Sequence, residues 1–176
     1  FAVGMTFSVG AASLISLQLG CKELYKAEKV LSNVFLMMIV VFPCMTLAGW
    51  LFTDELLLAF GASENLVSVS RNYLRIIFLG MTIDMLAVAG NFIIRAAGHP
   101  IYSMITLIIG AVVNMILDAL FILGFGWGIE GAAIATVIAQ LLAALWAFSY
   151  FFRKGSVLRF KPAKLRPDFT VCKQII

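Results

Sequence analysis

Five apolar runs of roughly bilayer length divide this chain, at residues 1–19, 31–52, 67–94, 101–123 and 131–152. A helix needs about 20 apolar residues to cross the hydrocarbon core, so each run predicts one membrane-spanning α-helix, the first of them shortened. Residues 171–176 turn apolar again and predict the opening of a sixth. The polar segments between the runs carry ordinary helix-stop signals. In RAAGHP, Arg95 falls on a last turn, Gly98 stands where a left-handed cap is needed, and Pro100 where a helix cannot continue, which predicts a tight turn. Pro43 lies in mid-run and predicts a kink. The predicted fold class is an all-α membrane protein, a polytopic transmembrane helix bundle.

Composition agrees with this solvent. The 176 residues are 62% hydrophobic and 12% charged, against roughly 25% charged in soluble domains. Phe1 stands directly in an apolar run, without a basic leader region or a small-residue cleavage site, so the chain is expected to be a piece of a longer protein. Cys21, Cys44 and Cys172 are far apart and match no metal or disulfide spacing; they read as inert small hydrophobes.

Loop charges predict direction, because Lys and Arg are retained on the cytoplasmic side. CKELYKAEK, RAAGHP and RKGSVLRFKPAKLRPD hold Lys22, Lys26, Lys29, Arg95, Arg153, Lys154, Arg159, Lys161, Lys164 and Arg166. The alternate connections, TDELLLAFGASEN and GFGWGIE, hold Asp54, Glu55, Glu64 and Glu130 without Lys or Arg. The basic loops are therefore expected in the cytoplasm, with the run 101–123 leading outward. The net charge of +4 invites a nucleic-acid reading, but its basic run lies beside a membrane. Attraction to anionic lipid headgroups accounts for it, and no nucleic-acid partner is expected.

Small residues predict how the helices meet. Gly4, Ser8, Ala12 and Ser16 form one stripe, and Gly131, Ala135, Ala139, Ala143 and Ala147 another. Lipid offers no hydrophobic drive for association, so such faces let backbones approach and pack by van der Waals contact.

The stretch VVNMILDALFI places Asn114 and Asp118 four positions apart on one helix face, with Gly110 one turn earlier. An ionised Asp at the bilayer centre costs about 2.5 to 3.5 kcal/mol on insertion scales, so intramembrane acids face a bundle interior or a watery cavity. Asp118 lies six residues before Gly124, and Thr136 six after Glu130, each about 9 Å below its helix end. The expectation is that Asp118 and Thr136 are level across an antiparallel hairpin, with Asn114 beside them. Such oxygens suit a proton or a hard monovalent cation such as Na⁺, either of which would neutralise Asp118. The plainer alternative is that Asp118 only hydrogen-bonds Asn114 or Thr136.

Asp84 is a second mid-span acid, whose candidate partners are Asn91, Arg95 and Arg75; Gln140 continues the polar stripe one turn beyond Thr136. Asp84 and Gln140, with Met81, Met85 and Met115, are the candidate lining of an adaptable pocket for varied apolar ligands, although methionines also fill irregular core gaps. His99 is expected to be solvated in its turn.

The run YLRIIFLGMTIDMLAVAGNFIIRAAGHP, then SMITLIIGAVVNMILDALFILGFGWGIEGAAIATVIAQ, resembles the multidrug and toxic compound extrusion (MATE) transporters, as does SLISLQLGCKELYKAEKV before it. The most specific pieces are the Asn114–Asp118 spacing and GAAIAT, Gly131 to Thr136. The resemblance implies a twelve-helix, two-lobe fold, of which 1–152 would be part of the N-lobe, 153–170 a basic cytoplasmic inter-lobe loop, and 171–176 the start of the next helix. It implies secondary active efflux of cationic amphipathic drugs against Na⁺ or H⁺ by alternating access, without a cofactor, in the inner membrane of a bacterium. It also implies a cation site in which Asn114, Asp118 and Thr136 join an acid on a first helix upstream of Phe1; that helix and the C-lobe would be missing partners of this chain. Asp84 stands where similar sequences are expected to be neutral.

Two other readings stand beside this one, a lipid-linked saccharide flippase of the same superfamily and a membrane bundle without transport. The flippase would call for a more cationic cavity. An enzyme is not expected, because no Ser/His pair, metal cluster or protease-like Gly-x-Gly-Asp is present.

Overall fold

In the computed structural model, residues 1–61, 63–153 and 155–158 are described. They form α1 (Ala2–Gly20), α2 (Leu24–Leu51), α3 (Thr53–Ala59), α4 (Glu64–Ala96), α5 (Pro100–Asp118), a π-helical continuation (Ala119–Gly124) and α6 (Gly128–Phe152). Five helical stretches are long and apolar enough to cross a membrane: Ala2–Gly20, Leu24–Leu51, Ser70–Ala96, Pro100–Gly124 and Gly128–Phe152. No strand occurs among the described residues. Of the expected loop 153–170, only 153 and 155–158 are among them, and the expected helix start 171–176 lies outside them.

Helix ends depart from the apolar runs where polar residues still satisfy a helix. α2 starts at Leu24 rather than near residue 31, and its first turns bury Ala27 and Val30 as well as Glu28. TDELLLA, expected as loop, is the helix α3. Asp54 and Glu55 fall in its first turn, where acidic side chains favour the positive end of the helix dipole, and Thr53 Oγ1 donates back to Gly49 O at 2.8 Å. α2 continues through Pro43.

Two turns share one design. Gly98, at φ +85°, donates to Arg95 O at 3.1 Å while His99 N–H donates to Ile94 O at 3.2 Å, the paired bonds of a Schellman cap. Pro100 then opens α5, where a missing N–H costs nothing. The turn after α1 makes the same bonds, Lys22 N–H to Leu19 O at 3.0 Å and Glu23 N–H to Gln18 O at 2.8 Å, but with Lys22 itself at φ 60°.

The core lies where α1, α2, α4 and α6 meet, around Ile15, Phe35, Met38, Phe42, Met85, Ile93 and Phe151. The Phe35 ring packs on Phe148 and Phe151, with centroids 5.1 and 5.6 Å apart. On α1 the buried face is Gly4, Ser8, Ala11 and Ile15, not the four-residue stripe through Ala12 and Ser16. At 3.6 residues per turn, a strict four-residue spacing drifts round the helix by about 40° per step. On α6 the whole stripe Gly131, Ala135, Ala139, Ala143 and Ala147 is buried, because α6 packs on both α4 and α5.

α5 is the peripheral helix. It packs on α6 and α4 and buries only Ser103 and Thr106, while Ile101, Leu107, Met115 and Ile116 are exposed. Asn114 and Asp118 therefore sit on the least enclosed span. At the end of the bundle away from the RAAGHP turn, Arg71 Nε meets Asp54 Oδ1 at 2.7 Å and Asn72 Nδ2 donates to Glu130 Oε1 at 2.7 Å, tying α3 and α6 to α4.

Candidate ion and substrate site

Asn114 and Thr136 do meet across the α5–α6 hairpin: Asn114 Nδ2 donates to Thr136 Oγ1 at 3.2 Å, and the Thr136 hydroxyl donates to Ala132 O at 2.9 Å within its own helix. A Cβ at Gly110 would lie 3.6 Å from the Ala143 methyl, an ordinary contact, so the pairing does not depend on the glycine. The level partner of Thr136 is thus Asn114, and Asp118 lies one turn beyond it. Counting from the two helix ends missed this because α6 begins at Gly128, ahead of Glu130, and α5 ends in a π turn, with Phe125 N–H bonded to Leu120 O at 3.0 Å. Residues in a π turn advance less per residue than in an α-helix, so depth by residue count fails there.

Asp118 Oδ1 is buried and makes no hydrogen bond. A buried carboxylate oxygen without a donor carries an unpaid desolvation cost. The side chains of Asp118, Asn114 and Thr136 offer oxygen atoms along this stretch of the hairpin. Among the described residues, no cluster of His, Cys, Asp and Glu has the makings of a multivalent metal site.

A cavity of about 290 Å³ opens between α4, α5 and α6, lined by Asp84, Asn91, Asn114, Thr136 and Gln140 among apolar residues. The fold thus groups Asn114 and Thr136 with Asp84 and Gln140, while Asp118 is not in this lining. Met81, Met85 and Met115 are not either. Met85 is in the core, where its thioether fills the space left by Gly4, Met81 packs against that core, and Met115 points away from the bundle.

None of the partners considered for Asp84 reaches it. Arg95 Nη2 donates to Asn91 Oδ1 at 2.9 Å, and Arg75 lies over the Trp50 ring, 5.2 Å from its centroid. Asn91 is fully engaged with α5, donating to Ser103 O at 2.7 Å and accepting from Ser103 Oγ at 2.8 Å. This buried tie to Ser103 was not singled out in the sequence, where no spacing signals a contact between the two helices. His99 is half-buried rather than solvated: Nδ1 lies 2.9 Å from the Tyr150 hydroxyl, which joins the α4–α5 turn to α6. Cys21 and Cys44 are free thiols; Cys172 lies outside the described residues.

Comparison with known proteins places this geometry in a family. The MatE family model matches residues 1–120. The multidrug export protein MepA of Staphylococcus aureus (strain NCTC 8325 / PS 47) is 30% identical over 173 residues, which are 98% of this chain and 38% of the relative. MepA of Staphylococcus haemolyticus (strain JCSC1435) is 31% identical over 174 residues, 99% of this chain and 38% of the relative. The chain therefore spans well under half the length of these relatives. An inward-facing multidrug resistance MATE family transporter of the MOP superfamily superposes with a TM-score of 0.92 at 24% identity, covering 99% of this chain and 40% of that one. Its outward-facing counterpart gives 0.92 at 24%, covering 99% and 39%. These structures share the fold of the five spans.

Proposed function

The chain belongs to the MatE family, an integral membrane family, and from that premise we propose that the full-length protein is a secondary active exporter of cationic amphipathic compounds. It works by alternating access, driven by inward movement of Na⁺ or H⁺ in a bacterial inner membrane with the basic loops cytoplasmic. Residues 1–152 contribute five helices of its N-lobe, 153–170 the inter-lobe loop and 171–176 the start of the next helix. The observation that carries this reading is the buried, unbonded Asp118 Oδ1, one turn from the Asn114–Thr136 pair. The reading takes that oxygen as the place where the coupling ion acts.

In this account the ion enters from outside, neutralises Asp118 with Asn114 and Thr136 as further oxygens, and shifts the balance between outward-facing and inward-facing states. Ion and drug each bind the two states unequally, which is the only way either can drive the other. Where the two sites compete, drug binding weakens ion binding by the same factor that the ion weakens drug binding. The equal fit to inward-facing and outward-facing structures supports movement of the segment as one body. A cavity whose formal charge comes from Asp84 weighs against an anionic lipid-linked saccharide as cargo.

Proteoliposomes holding the full-length protein and a cationic dye provide the test. Dye should move out of the ion-loaded orientation when either a Na⁺ or a pH gradient is imposed, and not without one. Dye movement indifferent to both gradients would refute ion-coupled export.

A further inference from the structure

At the end of the bundle away from the RAAGHP turn, one cation is left without an anion. Arg71 pairs with Asp54, whereas Arg75 meets no carboxylate among the described residues, and its Nε is buried without an acceptor. Its guanidinium lies over the Trp50 ring, 5.2 Å from the centroid. That face attracts the cation but offers no oxygen to its N–H groups. Arg75 stands five residues inside the start of its span at Ser70, about 7.5 Å below that end, and Trp50 is the last residue but one of α2. An arginine at this depth reaches the headgroup level along its own stem, and tryptophan is favoured at the same level.

Beneath this pair, α2 and α4 leave a groove of about 470 Å³ lined by Pro43, Thr46, Leu47, Trp50, Leu79 and Thr82. Leu79 and Thr82 follow Arg75 by one and two turns, and Leu47 and Pro43 precede Trp50 by one and two turns. Both walls therefore descend together toward the bilayer centre, over about 10 Å. The Thr46 and Thr82 hydroxyls meet at 3.2 Å, so these polar atoms satisfy each other. Phe78 fills the space at Gly49, where a Cβ would lie 2.6 Å from its ring. Leu47 and Leu79 are 57% and 62% exposed, which opens the groove to the outside of the bundle. Arg75, Leu79 and Thr82 lie on the side of α4 opposite Gly80, Asp84 and Asn91, so this groove is separate from the cavity between α4, α5 and α6.

An unanswered guanidinium calls for an anion, and an open apolar slot starting beneath it calls for a hydrocarbon chain. A phospholipid carries these two parts in that order, while an acid from another helix or a free phosphate answers only the first. We propose that the groove between α2 and α4 binds one anionic phospholipid, with its phosphate on Arg75 and the upper part of an acyl chain along Leu47 and Leu79. A guanidinium has five N–H donors and takes phosphate oxygens in pairs, which Trp50 alone does not supply. In the orientation proposed above the lipid belongs to the outer leaflet, and its binding depends on neither the coupling ion nor the cargo.

The test is site-specific photocrosslinking of the full-length protein in vesicles of equal parts phosphatidylglycerol and phosphatidylcholine with identical acyl chains. The crosslinker p-benzoylphenylalanine replaces Leu51, which is exposed beside Trp50 and outside the groove lining, and the adducts are identified by mass spectrometry. Phosphatidylglycerol adducts should outnumber phosphatidylcholine adducts by about fivefold or more, and Arg75→Gln should bring the ratio to one. An equal ratio with Arg75 present, a preference that survives Arg75→Gln, or crosslinks to the protein's own chain in place of lipid would overturn the proposal. The ratio with Arg75 present decides alone if the variant does not fold.

Discussion

Asn114 Nδ2 lies 3.2 Å from Thr136 Oγ1 across the α5–α6 hairpin, so the amide and hydroxyl are level while Asp118 stands one turn farther along α5. The oxygens of the proposed ion site are thereby spread along a helix turn rather than gathered in a plane. The asymmetry makes the three residues separable by mutation.

Thr136→Val keeps the volume and removes the hydroxyl, leaving Asn114 Nδ2 without its partner. One net hydrogen bond is worth about 1 kcal/mol, so the thermal midpoint of the purified full-length protein should fall by a few degrees. If Na⁺ is the coupling ion, the concentration giving half-maximal dye efflux should rise by about fivefold or more, since a neutral oxygen ligand is lost. An unchanged Na⁺ dependence would mean that Thr136 serves only to hold Asn114.

Asp118→Asn should not lower thermal stability. Its buried Oδ1 has no donor to lose, and a neutral amide is cheaper to hold in the bilayer than a carboxylate. A loss of several degrees in the unfolding midpoint would show that the carboxylate holds the fold together.

Gly80→Ala puts a methyl 2.7 Å from Val137 Cγ2 and 3.0 Å from Gln140 Oε1. Overpacking of this kind costs about 1 to 3 kcal/mol, and the easier relief is displacement of the Gln140 amide. Stability should drop by an amount in this range in chemical unfolding. Full stability would mean that α4 and α6 separate freely at this level.

The two Schellman turns offer a matched pair. Lys22 adopts φ 60° where Gly98 adopts +85°, and a side chain in that region costs roughly 1 kcal/mol. Lys22→Gly should stabilise the protein by about that amount and Gly98→Ala should destabilise it similarly, as read from paired thermal melts. Opposite signs at the two sites are the expected outcome; equal signs would remove the backbone explanation.

The helical architecture was legible because the apolar runs are long and their composition leaves no other solvent. Helix starts were less so: the first turns of α2 mix Lys and Glu with Ala27 and Val30, and apolarity marks where a bilayer begins rather than where hydrogen bonding does. α3 was hidden because TDELLLA carries acidic residues that served as a loop-charge signal. At the site, the Asn114–Thr136 pairing was within reach of residue counting to about one turn, and the early start of α6 at Gly128 together with the π segment after Asp118 consumed that turn. The cavity grouping of Asp84 with Gln140 was weakly signalled, since it depends on Gly80, a residue whose use is visible only once α6 is packed against α4. Of the three methionines, Met85 went to the gap left by Gly4, Met81 to the edge of the core and Met115 to the exposed face of α5.

The central claim, that Asp118 couples ion entry to export, is tested most directly by dye accumulation against its own gradient in proteoliposomes of wild-type and Asp118→Asn full-length protein, under an imposed Na⁺ or pH gradient. The account predicts that wild type pumps dye uphill under one of the gradients while Asp118→Asn, inserted and folded, allows none. Uphill pumping by Asp118→Asn at the wild-type level would contradict it.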